Sequence, residues 1–171
     1  VIDGGVDFNH EDLAGNMWEG KDTLGNTIHG YNFVTDSYTI NPESHGTHVA
    51  GTIAAVSNNG TGVSGIAGGN AAEGIKGASI MSCQIFDGED GGNGAAAIVW
   101  AANNGAVIAQ NSWGYPHEEN PDLTDTPEYM KAAIDYFNSS AGCDEEGNQL
   151  PDSPMKGGVV FFSAGNESMS M

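Results

Sequence analysis

Ser44-His45-Gly46-Thr47-His48-Val49-Ala50-Gly51-Thr52-Ile53-Ala54 reads as a helix with a histidine in its first turn and an almost bare inner face. Gly46, Ala50 and Ala54 recur at four-residue spacing, so one stripe of the helix can approach a sheet closely. The reading predicts a helix over His45 to Val56 with Ser44 as its N-cap. A histidine so placed is positioned by the helix start. His48 is expected to be structural, with a buried partner.

Forty-two residues before His45 stands Val1-Ile2-Asp3-Gly4-Gly5-Val6, a carboxylate at the end of a short apolar strand. Far downstream, Ser163-Ala164-Gly165-Asn166-Glu167 follows an apolar run. Continuous apolar runs at Ala78 to Phe86, Ala106 to Ala109 and Gly158 to Phe162 predict strands buried on both faces, and hence a parallel sheet. Helices are predicted between them. One runs from Gly94 to Asn104 and is closed by Gly105. Another runs from Pro127 to Ser140, with Thr126 as cap and Met130, Ala133, Ile134 and Phe137 on one face. Alternating strands and helices give an α/β class with helices on both faces of the sheet.

At 171 residues the chain suffices for one domain with its own core. Four Lys and Arg against 23 Asp and Glu leave a net charge of −19, which argues against nucleic acid or an anionic membrane surface as partner. The excess suits cation binding, and equally a surface that only stays soluble. No apolar run reaches the ~20 residues that span a bilayer. Cys83 and Cys143 set no framework, and both the bridged and the free state stay open. Val1-Ile2 reads as the tail of a buried strand, so the chain is expected to be an internal piece of a longer protein. The stretches Tyr115 to Asp125 and Gly142 to Lys156 read as surface loops of an acidic insertion at about 115–157.

In this order the Asp3, His45 and Asn166 segments resemble the subtilisin-like serine peptidases, the subtilases. The resemblance implies a three-layer α/β/α fold with a mostly parallel central sheet, of which residues 1–171 form a truncated part. It implies a serine endopeptidase in which Asp3 orients His45, His45 acts as general base, and the Asn166 amide donates to the oxyanion of the tetrahedral intermediate. Asn111-Ser112-Trp113-Gly114 resembles the family segment that pairs with an extended substrate, with Gly91 and Gly92 as the opposite rail. Trp113 also reads as core filling.

No cofactor is implied for the chemistry. Asp12 and Asn59, with carbonyls of the loop from Asn58 to Val63, align with a structural calcium site of the family, and read equally as a surface acid and a turn asparagine. The family's Ser or Thr next to the carboxylate is replaced here by Gly4. The nucleophile segment Gly-Thr-Ser-Met-Ala does not occur, and Ser168 and Ser170 lack the preceding Gly-Thr. The expectation is therefore a secreted or cell-surface peptidase acting on peptide or protein substrates. This piece of it is expected to be inactive and to associate through exposed sheet edges. Two other readings are a catalytically inactive subtilase-fold scaffold and a zinc hydrolase using His45 and His48. A dinucleotide loop at Gly60 to Gly65 is rejected, because it follows a helix rather than a strand.

Overall fold

The computed structural model describes residues 1–114 and 126–166. The loop read at Tyr115 to Asp125, together with Glu167, Ser168 and Ser170, lies outside them. In chain order the elements are β1 (Ile2–Gly4), β2 (Gly20–Lys21), β3 (Thr27–Ile28), β4 (Gly30–Asn32), α1 (Ser44–Ala54), β5 (Gly69–Asn70), β6 (Ile75–Lys76) and β7 (Ser82–Asp87). They continue with β8 (Asp90–Gly91), α2 (Gly94–Asn103), β9 (Ile108–Asn111), α3 (Glu128–Ser140) and β10 (Val159–Phe162).

The central sheet runs β10-β9-β1-β7-β4, and all four of these pairings are parallel. β8 folds back on β7 as an antiparallel hairpin. Parallel strands joined by helices put their C-terminal ends along one edge, the usual place for a site in such sheets. Asp3, Asp87, Asn111 and Phe162 all fall at or next to those ends.

The two faces bury different groups. Ile2, Cys83, Ile85 and Ala109 pack with α2 and with Met130, Ala133 and Phe137 of α3. Val6, Leu13, Met17 and Ile80 pack with Ala50 and Ala54 of α1. The two cores make this the three-layer α/β/α arrangement expected. β7 is less uniformly apolar than a strand buried on both faces would be. Ser82 and Gln84 are fully buried, but Ser82 Oγ accepts the Val6 N–H and Gln84 Oε1 the Asn41 N–H, so neither is left unsatisfied.

Several element ends depart from the sequence reading for local reasons. Ala78 to Met81 stay out of the strand because Ile80 exchanges backbone hydrogen bonds with Asn16 and Trp18 instead. β9 begins at Ile108, after Gly105 (φ 89°) and Ala106 have closed α2 with N–H bonds to Ala102 and Ala101. α3 begins at Glu128 with Pro127 in the cap position and no side-chain cap, so Thr126 is not its cap. The cap of α1 is Glu43, and Ser44 is the first helical residue. The carbonyl of Glu43 accepts the first helical bond, from Thr47 N at 3.1 Å. Both cysteines are free thiols, and burial pushes Cys83 up to about 11.

Candidate active site

β1 and α1 meet at their backbones. A Cβ on Gly46 would collide with the carbonyl of Gly4, so only glycine lets the first turn of α1 seat against the end of β1. The joint is pinned on either side: Glu43 N–H donates to Gly5 O at 2.7 Å, and Asp7 N–H donates to Thr47 Oγ1 at 2.9 Å.

The pleat of β1 sends Ile2 into the α2/α3 core and Asp3 toward α1. Asp3 is 2% exposed. Its Oδ1 accepts the Gly4 N–H at 2.7 Å and pairs with His45 Nδ1 at 2.7 Å. An ionised carboxylate can only accept, so the proton sits on Nδ1 and the lone pair of a neutral ring is left on Nε2. The imidazole itself is 59% exposed. One nitrogen is thus held by the sheet while the ring faces outward.

A histidine at a helix start is disfavoured as a cation by the helix dipole. Here the pKa of His45 is raised, first by the hydrogen bond to Asp3, then by the charge of Asp3, with a further contribution from Glu43; burial opposes them and loses. Glu43 Oε2 accepts the N–H groups of His45 (2.8 Å) and Gly46 (3.2 Å), and Oε1 accepts the Ser44 hydroxyl at 3.1 Å. Burial pushes the Glu43 carboxyl up, but those three hydrogen bonds and the adjacent imidazole outweigh it and hold the group below its ordinary value. Sequence reasoning missed Glu43 because serine is the stronger cap by residue type, and Ser44 stands next to it. Glu43 also accounts for the departure at Gly4. A Cβ there would stand 2.5 Å from Glu43 Oε2 and 2.9 Å from Glu43 Cβ.

The other residues singled out in the sequence lie around the same sheet edge. Trp113 Nε1 donates to Ile2 O at 2.9 Å, and its ring meets Phe86 and Phe162 edge-on. Ser112 Oγ accepts from Gln110 Nε2 at 3.2 Å, and Gly114 is exposed. Gly91 is exposed on β8, while Gly92 packs so closely on the Phe33 backbone that a Cβ would come within 2.7 Å. Asn166 is exposed in the segment that leaves β10.

His48 is exposed, which does not suit the structural role with a buried partner expected of it. It faces a cavity of about 740 Å³ that Glu43 and Ser44 also line, but not Asp3 or His45. Among the described residues, the metal-ligand-type atoms that lie within 4.8 Å of one another belong to Asp3, Glu43 and His45, without His48. Protein donors already occupy Asp3 Oδ1 and Glu43 Oε2.

Asp12 and Asn59 do come together, yet not as a calcium cage. Asn59 offers its N–H to Asp12 Oδ1 at 2.7 Å, while Oδ2 takes the Val63 N–H at 2.8 Å. An amide that turns its donor inward leaves its oxygen aimed elsewhere, to Thr61 N at 3.0 Å. As arranged here these three side-chain oxygens each accept an N–H group, so an ion would require the Asn59 amide to turn over.

A sequence model of the Subtilase family matches residues 1–171. Thermitase of Thermoactinomyces vulgaris is 37% identical over 117 residues, covering 67% of this chain and 36% of thermitase. The halolysin-like extracellular serine protease Nep of Natrialba magadii is 37% identical over 123 residues, 67% of this chain and 20% of Nep. A calcium-dependent protease of Trichormus variabilis is 30% identical over 185 residues, 100% of this chain and 23% of that protein. The chain therefore spans about a third or less of these relatives. The chain belongs to the subtilase family.

Proposed function

We propose that the protein carrying this chain is a serine endopeptidase that works outside the cell, in which Asp3 and His45 supply the acid–base half of the machinery. The observation that carries the reading is the 2.7 Å contact between Asp3 Oδ1 and His45 Nδ1, at the C-terminal edge of a parallel sheet and with the ring open to solvent. Asp3 fixes the tautomer, and Nε2 takes the proton of a serine hydroxyl as it attacks the substrate carbonyl. That hydroxyl comes from sequence beyond this chain. The imidazolium formed is stabilised by Asp3 and returns its proton to the departing amine. The Asn166 amide donates to the oxyanion of the intermediate.

A peptide substrate lies extended between the segment Ser112 to Gly114 on one side and Gly91 and Gly92 on the other, pairing through its main chain. Trp113 backs that rail from beneath. Subtilases need no cofactor for catalysis. The extracellular setting draws on Nep, a relative whose name calls it extracellular.

Active-site labelling with a fluorophosphonate tests the reading on the full-length protein. One serine should be labelled stoichiometrically, and His45→Ala should abolish labelling. Absence of labelling in the folded wild type would leave the inactive scaffold as the better account.

A further inference from the structure

Resting on the peptidase reading above, we propose that Glu43 is a positioning residue for the Asp3–His45 pair, a second carboxylate that fixes the backbone of His45 and biases the charge of its ring. Its carboxylate does not cap the helix at the usual distance from chemistry, because Oε2 accepts the N–H of His45 itself at 2.8 Å. The space it fills is reserved: a Cβ at Gly4 would stand 2.5 Å from Oε2, so the carboxylate lies over the residue that follows Asp3. Asp3 Oδ2 is buried, and among the described residues it has no hydrogen-bond partner. One carboxylate oxygen each from Asp3 and Glu43 and one ring nitrogen of His45 all lie within 4.8 Å of one another.

The charged groups acting on the ring are Asp3 from β1 and Glu43 from the cap of α1, and both favour imidazolium. The N-terminal end of α1 acts the other way, and Glu43 offsets it by taking two of the exposed N–H groups. Glu43 thus makes the ring a stronger base while leaving Nε2 free for substrate. The raised pKa of His45 agrees with this division, Asp3 contributing most and Glu43 adding to it.

The test is an NMR titration of the His45 ring in the full-length protein with ¹³C-labelled histidine, assigned by the signal lost in His45→Gln. Glu43→Gln keeps a cap acceptor and removes the charge, so the His45 midpoint should move down. Glu43→Asp should keep most of the wild-type midpoint. Gly4→Ala, which displaces the Glu43 carboxylate, should move it down as well, and serves if Glu43→Gln does not fold. In turnover, the acid limb of kcat/KM should shift to lower pH while the plateau falls about three- to tenfold. A purely structural cap would lower the plateau without moving the limb. An unmoved His45 midpoint in folded Glu43→Gln overturns the proposal. Loss of all peptidase activity in the wild type would instead sink the peptidase reading, with the titration still deciding the role of Glu43.

Discussion

The indole N–H of Trp113 donates to the carbonyl of Ile2 at 2.9 Å, tying the segment that follows β9 to the strand that carries Asp3. One side chain therefore links the proposed substrate rail to the Asp3–His45 pair. Trp113→Phe keeps the ring contacts with Phe86 and Phe162 but removes one hydrogen bond to the Ile2 carbonyl, which costs about 1 kcal/mol. Chemical denaturation should show that loss. A KM that rises by more than kcat falls would show that the rail has moved relative to the substrate.

Asn166→Leu removes the proposed oxyanion donor at an exposed position, where folding should be little affected. The expected result is a fall in kcat of about 10²–10³, with KM nearly unchanged. Steady-state kinetics on a peptide amide reads both, and an unchanged kcat would remove Asn166 from the site.

Gly46→Ala should be among the most damaging single-methyl additions in the chain, because its Cβ meets the Gly4 backbone and no rotamer relieves the clash. A loss of about 1–3 kcal/mol is expected from overpacking, together with loss of the His45–Asp3 contact. Thermal unfolding and the His45 NMR signal check the two parts separately.

Glu43 carries a pH signature of its own. Its carboxyl is held below the ordinary value of 4.5, so its contribution to stability is present above about that pH and is lost as pH falls through its lower folded value. His45 has the opposite sign: its pKa is raised above the ordinary 6.5, so its contribution is complete below 6.5 and disappears as pH rises through the folded value. Denaturant midpoints measured from pH 3 to 9 should show an acid loss that Glu43→Gln reduces and an alkaline loss that His45→Gln removes.

Asp12→Ala deletes a carboxylate that is 2% exposed and ties the Asn59 amide and the Val63 N–H together. The cost should be about 1–3 kcal/mol, and equal with calcium or with a chelator present. A wild-type melting temperature that drops on chelation, with Asp12→Ala immune to it, would show that the loop rearranges around an ion after all.

Much of this was legible in the sequence because the signals are local. The bare stripe Gly46, Ala50 and Ala54 marks a helix that must seat on a sheet, and all three are buried. The Met130, Ala133 and Phe137 face of α3 follows from period alone. The misses come from partners far apart in sequence. Ile80 leaves its strand for Asn16 and Trp18, which no window around Ile80 contains. Glu43 outcompetes Ser44 because Gly4, thirty-nine positions earlier, leaves room for the longer side chain. His48 was expected to have a buried partner, yet it lies three residues along α1 from His45 and, like it, is exposed.

The joint between β1 and α1 is made of main chain against main chain, with no side chain between Gly4 and Gly46. The loops read as gripping a peptide hang from other strands, after β7 and after β9. The proposed grip and the proposed relay therefore sit on neighbouring strands, and the Trp113 indole is the bolt through which a change in one would be felt by the other.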